Sequence, residues 1–190
     1  MKILALGILF GLLGGSIAYA VSPALYLSPA SGDVSVGETF PVNVMVDTQG
    51  KNANAVAAYL EYPANLLAVR SLATATSGSP MQFIVERNYG GGRVEISGGT
   101  PTPGFNGVYN VGTIEFQAIA PGDATLSFTS DSAVLLDSDN TNILQSVSWR
   151  TQATVHIANA NIGTAPSVQA ETPQYRSPLE TMLAFFKGLF

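Results

Sequence analysis

The chain has 190 residues, of which 11% are charged, with one histidine and no cysteine. Without cysteine there is no disulfide scaffold and no thiolate metal site, so apolar packing alone must hold the fold. A formal net charge of −5 offers nothing to a phosphate backbone and excludes nucleic acid as a partner.

The first twenty residues are set apart from the rest. Lys2 is followed by an apolar run from Ile3 to Leu13, interrupted by Gly7 and Gly11, and then by Ala18-Tyr19-Ala20. A positive start, an apolar stretch and a small-x-small site form a secretory signal peptide over residues 1–20. The alternative is a retained membrane anchor, since Ile3 to Val21 approaches the length of about 20 residues that spans a bilayer. Ser22-Pro23 follows at once with no basic cluster, which favours cleavage and a secreted or cell-surface protein.

From Leu25 onward the pattern is one of short alternating runs. Leu25 to Leu27 opens it. Phe40, Val42, Val44 and Val46 then alternate with Thr39, Pro41, Asn43 and Asp47, which buries one face of a strand and leaves the other wet. Val56, Ala58, Leu60 and Tyr62 repeat this, with Ala57, Tyr59 and Glu61 in the outward phase. Further strands fall at Leu67 to Leu72, at Val94 and Ile96 between Arg93, Glu95 and Ser97, and at Ile114, Phe116 and Ala118. Leu126 with Phe128, Val134 to Leu136, and Val155 with Ile157 complete about nine strands. The breaks carry turn chemistry: Ser31-Gly32-Asp33, Asp47 to Asn52, Gly90-Gly91-Gly92, Ala120 to Asp123, and Asp137 to Asn142. Many short strands without helical periods imply an all-β sandwich or jelly roll over residues 21–158.

After residue 158 the alternation stops. Residues 159–176 are rich in Ala, Asn, Thr, Pro and Gln, as in a linker. Ser177-Pro178-Leu179-Glu180 is a capping box with proline at the first helical position. A short amphipathic helix is expected over residues 177–190, with Leu179, Met182, Leu183 and Phe186 on one face. It is too short to span a bilayer, and its expected role is contact with a membrane surface or a partner.

Several segments together resemble a known family. The run Leu25-Tyr-Leu-Ser-Pro-Ala-Ser-Gly-Asp-Val-Ser-Val-Gly-Glu-Thr-Phe-Pro-Val-Asn-Val resembles the opening of cohesin domains. Asn54 to Tyr62 is similar to the family's next strand, and Leu67-Ala-Val to the leucine run after it. Val94-Glu-Ile-Ser-Gly-Gly-Thr-Pro-Thr-Pro-Gly-Phe, then Gly112-Thr-Ile-Glu-Phe-Gln-Ala, resembles the family most closely, and Phe128 and Val134-Leu-Leu-Asp complete the match. The likeness spans residues 24–158. Tyr62-Pro63-Ala64 departs from the family's Tyr-Asp-Pro turn. The resemblance implies a nine-stranded jelly-roll β-sandwich related to the carbohydrate-binding modules that bind cellulose. It also implies a protein partner, a dockerin-like module or surface protein, because cohesins bind the dockerins of polysaccharide-degrading enzymes. With one copy and no dockerin-like duplicated calcium segment, the expected role is a single surface-displayed receptor or adhesin module.

Cohesins bind dockerins on one sheet face, so Tyr59, Glu61, Arg93 and Glu95, all in the outward phase, are the candidate partner-binding residues. No catalytic group, cofactor or metal is expected. His156 alternates with Val155 and Ile157 and points away from the core, with no nucleophile or orienting partner in sight. Glu61, Glu95 and Glu115 could pair as glycosidase carboxylates if they shared a face, though solvated strand positions account for them. Asp137 to Asn142 is rich in oxygen but lacks the glycine and glutamate of a calcium loop, so it reads as a hydrogen-bonded turn. Direct binding of polysaccharide is an alternative function, with Tyr59, Tyr89, Tyr109 and Trp149 as possible platforms. A structural subunit of a surface appendage is another.

Overall fold

The computed structural model describes residues 22–74, 79–144 and 152–160. The expected signal peptide, the segment from residue 161 with its expected helix, and Trp149 lie outside them. Every regular element among the described residues is a strand, eleven in all. They are β1 (Ala24–Ser28), β2 (Ser31–Ser35), β3 (Thr39–Asp47), β4 (Ala53–Glu61), β5 (Leu67–Ala73), β6 (Phe83–Gly90), β7 (Arg93–Gly99), β8 (Val108–Ala118), β9 (Gly122–Phe128), β10 (Ala133–Leu136) and β11 (Gln152–Ala158).

Two sheets result. One has four strands in the order β1-β3-β8-β5. The other has seven, in the order β2-β11-β9-β4-β7-β6, with β10 also paired to β4. Period two explains which residues meet between them: Val42, Val44 and Val46 from β3 and Val56, Ala58 and Leu60 from β4 are all buried, while their neighbours face outward. On β8 the phase changes partway. Val111 is the extra residue of a register shift opposite Val44 and Met45, so it is buried although it is out of step with Ile114 and Phe116. Phe116 has no exposed surface, and its ring stacks on Phe40 at 5.9 Å and meets Tyr62 edge-on at 5.3 Å.

The expected all-β sandwich is therefore present, with two strands that alternation does not reveal. Ser31-Gly32-Asp33 is not a turn but the start of β2, paired in parallel with β11. The chain breaks one step earlier, at Pro29 and Ala30. This polar edge strand is held by main-chain bonds and has little apolar content to mark it. β6 is exposed along nearly all its length, so no buried face imposes a period of two, and a shift between Ile84 and Glu86 breaks its phase.

The altered turn after β4 closes normally. Leu66 and Leu67 both donate their amides to the Pro63 carbonyl, at 2.9 and 3.0 Å. The β7–β8 loop is fastened to the start of β4 by reciprocal bonds between Ala53 and Phe105, each 2.8 Å. Gly104 makes that approach possible. Its φ is +72°, and a Cβ there would sit 2.3 Å from the Ala53 carbonyl oxygen.

Replacing Phe116 by alanine removes a ring that bridges both sheets and leaves a cavity. The expected loss is about 3–5 kcal/mol of unfolding free energy, read from urea denaturation, whereas Val85→Ala on exposed β6 should change it by less than ~0.5 kcal/mol.

Candidate binding face

The outward side of the seven-stranded sheet is built in rows, because strand register carries each residue to a fixed neighbour. Across β10, β4, β7 and β6 the first row is Leu135, Ala55, Gly99 and Phe83, and the second is Ala133, Ala57, Ser97 and Glu86. The third is Tyr59, Glu95 and Asn88. In the fourth, Ser127 of β9 leads to Glu61, Arg93 and Gly90. All four sequence-derived candidates stand on this face, Tyr59 opposite Glu95 and Glu61 opposite Arg93.

At its centre three strands are tied by one carboxylate oxygen. The Tyr59 hydroxyl donates to Glu86 Oε2 at 2.7 Å, and the Ser97 hydroxyl donates to the same atom at 2.9 Å. These two donors, Tyr59 first, hold the Glu86 carboxyl below its ordinary range. The accepted bond in turn raises the Tyr59 phenol, helped by burial and by the charge of Glu86. The Tyr59 backbone is fixed as well, because its amide donates to Ser132 Oγ at 3.1 Å and its carbonyl accepts from Thr129 N at 2.8 Å. Arg93 Nε lies 3.9 Å from Glu95 Oε1, a partly exposed and long contact that contributes little.

Glu86 and Phe83 belong to this face and escape the sequence reading, whereas Ser97 is read there as outward beside Arg93 and Glu95 but is not assigned to the site. The available signal for Glu86 and Phe83 was the β-forming triplet Phe83-Ile84-Val85 bounded by Pro80 and Gly90-Gly91-Gly92. The Phe83 ring lies over Gly99, where an added Cβ would come within 3.1 Å of it.

Other candidates are dispersed. Glu61 and Glu95 share this face, but Glu115 is on β8 in the other sheet, so the three carboxylates do not form a catalytic pair around one cleft. Tyr109 is half-buried and packs edge-on against Phe105 at 5.6 Å, while Tyr89 is exposed on β6. In the turn after β10, Thr141 N donates to Asp139 at 2.9 Å and Asn142 Oδ1 accepts from Val134 N and Leu144 N. The Thr141 amide and then its hydroxyl lower the Asp139 carboxyl. The bonds from Thr141 N to Asp139 and from Leu144 N to Asn142 are those of Asx turns, and the Val134 amide closes the turn back onto β10. Among the described residues no group of three or more histidine, aspartate or glutamate side chains is placed to hold a metal ion.

The other end of the same sheet has a different character. His156 on β11 faces outward between Asp33 on β2 and Asp123 on β9, and its Nδ1 donates to Asp123 Oδ1 at 2.6 Å. The bond to Asp123, then that residue's charge and that of Asp33, raise the imidazole above its ordinary value.

With this geometry established, the chain can be set beside known proteins. No family model matches it, and no curated protein does. Solved structures do. A non-cellulosomal cohesin from the archaeon Archaeoglobus fulgidus aligns at 17% identity and TM-score 0.55, over 73% of this chain and 92% of its own. The cohesin module of a Clostridium perfringens family 33 glycoside hydrolase aligns at 14% and 0.56, over 73% and 96%. The third cohesin of ScaC from Acetivibrio cellulolyticus, solved with the ScaB dockerin, aligns at 13% and 0.57, over 71% and 99%.

The chain has the cohesin fold. At such identities the likeness speaks for architecture alone, and the side chains of the candidate face are this chain's own.

The His156 environment gives a direct check. Its raised imidazole stabilises the fold below the unfolded value of about 6.5, and that contribution is lost as pH rises through the higher folded value. An NMR titration should place the His156 midpoint above 6.5, and Asp123→Asn should lower it; equal midpoints in both proteins would show that the Asp123 contact is not made in solution.

Proposed function

We propose that the chain is a secreted, non-catalytic attachment module that binds a protein partner across the outward face of β4, β7 and β6. The observation that carries this reading is the Tyr59–Glu86–Ser97 cluster. It fixes a polar centre on a sheet face before any partner arrives, and pre-organised groups lose little freedom on binding. Tyr59 in that centre, with Glu61, Arg93 and Glu95 around it, forms the contact set. The signal-peptide sequence supports secretion or display at a cell surface.

A dockerin-like module or another surface protein fits as the partner, since the ScaC cohesin of similar fold was solved with a dockerin. A link to polysaccharide degradation draws support from the glycoside hydrolase that carries a module of this fold. The face offers less to a sugar directly, because the Tyr59 hydroxyl is already engaged by Glu86. The C-terminal segment 177–190 we assign, from its sequence alone, a separate contact with the partner or a membrane surface.

The test is a binding screen of the secreted protein against a panel of dockerin modules, with a glycan array beside it. Retention of a protein ligand is expected, and Tyr59→Ala should weaken it at least tenfold, as removal of a central aromatic contact does. Glycan binding abolished by the same substitution, or glycan hydrolysis by the pure protein, would overturn the proposal.

A further inference from the structure

The rows of the face are not equivalent. The first holds Leu135, Ala55, Gly99 and Phe83, with no ionisable side chain. The remaining three hold Glu86, Glu95 and Glu61 against the single cation Arg93. Exposed apolar surface is gathered on the edge strand β6, where Phe83 shares the outward row while Ile84 and Tyr89 pair with Gly98 and Val94 of the inward phase. Of the six exposed large hydrophobic residues among those described, Phe83, Ile84, Val85 and Tyr89 are all on β6, with Phe83 51% and Val85 70% exposed. Solvent-exposed edge strands are ordinarily shielded by charge, so such a concentration marks a contact surface.

Within the acidic half, Glu86 stands apart from Glu61 and Glu95. Both of its hydrogen bonds arrive at Oε2, and Oε1 takes none from the described residues. Glu86 is thus an ionised carboxylate held through one oxygen, with the other left without a hydrogen bond from the described residues. A charged donor placed there forms a bond roughly twice as strong as a neutral one.

A second copy of the chain does not suit this face. A two-fold axis that sets like rows together brings Glu61, Glu86 and Glu95 against their own copies. One that sets unlike rows together buries carboxylates against Phe83. Either arrangement carries uncompensated charge into an interface.

We infer that the partner of this face is a two-part protein element, apolar where it covers the Leu135–Phe83 row and basic where it meets Glu86, Glu95 and Glu61, with one lysine or arginine seated on Glu86 Oε1. This rests on the attachment function proposed above. At spacings of about 4.8 Å between strands and ~6.8 Å between rows, the face measures roughly 14 Å by 20 Å. That is small for a stable interface, so complementary charge sets the association rate and its dependence on salt.

Two synthetic 16-residue peptides test the inference. Both carry the same alanine–leucine half, joined to a lysine-rich half in one and a glutamate-rich half in the other. Each is titrated into the isotopically labelled protein, and amide shifts are followed by NMR at low and high sodium chloride. The lysine peptide should perturb Tyr59, Glu86, Ser97 and Glu95, and bind at least tenfold more weakly in high salt. Glu86→Gln should weaken it about fivefold, and Phe83→Ser should weaken both peptides. The double variant Glu86→Lys, Glu95→Lys should reverse the preference and select the glutamate peptide. Dispersed spectra of each variant confirm that it is folded. If both peptides perturb these residues equally, or Glu86→Gln has no effect, the inferred charge pattern is wrong while the face remains a docking surface. Perturbations confined to the region of Asp33 and Asp123 would overturn the inference and the proposed face together. Shifts at the same amides that grow with protein concentration alone would identify a second copy as the occupant.

Discussion

The register of β4 is the constraint on which both the core and the candidate face depend. Its inner phase supplies Val56, Ala58 and Leu60 to the interior, and its outer phase supplies Ala55, Ala57, Tyr59 and Glu61 to the face. A slip of one residue would exchange the two sets, placing Tyr59 and Glu61 in a dry interior and three aliphatic side chains in water. Three neighbours hold the register: β7 along most of one edge, and β10 and then β9 along the other. The Ala53–Phe105 bonds fasten its beginning, and the bond from Tyr62 N to Gly92 O, 2.8 Å, fastens its end.

Such rigidity at the centre lets the edge do something else. β6 contacts the sheet through β7 alone in the strand order, and its register shift leaves Val85 without a partner on that strand. The hydrogen bonds from Tyr59 and Ser97 to Glu86 compensate, linking β6 to both β7 and β4 through side chains. The cluster therefore does two jobs with one set of atoms. It keeps an exposed edge strand aligned, and it leaves a carboxylate oxygen in a defined position on the surface.

How much of this was legible beforehand follows from burial. Strands with one dry face write a period of two into the sequence, and β3, β4, β7 and β8 were readable for that reason. The same alternation put Tyr59, Glu61, Arg93 and Glu95 outward, which is where they stand. β2 and β6 lacked that imprint, the first because it is polar and held by main-chain pairing, the second because it is exposed on nearly every residue. The missing β6 hid one of the three strands of the proposed face, with Phe83 and Glu86 on it. Glu86 is 27 residues from Tyr59 and 11 from Ser97, and it takes the pairing of β7 with both β6 and β4 to bring the three together. No local pattern encodes a hydrogen bond between side chains on three strands. Asp123 and His156 illustrate the same point: the outward phase of His156 could be read, but its partner depended on β9 lying beside β11.

An acidic chain attracts basic groups in general, so the question is what confines a partner to one part of this sheet. At the β2-β11-β9 end the carboxylates of Asp33 and Asp123 flank His156, which offsets their charge when protonated, and their outward neighbours Thr125, Gln152 and Thr154 offer no apolar surface. At the β4-β7-β6 end three glutamates face one arginine, and the apolar row lies directly beside them. Long-range attraction is available at both ends, but only the second combines uncompensated charge with apolar area that gains by leaving water. Binding strength needs both, since exposed charge contacts alone contribute little and apolar contacts alone do not set orientation. The sheet is continuous, yet the chemistry of its outward side changes from one end to the other, and that change, more than the shared architecture, determines where a partner is held.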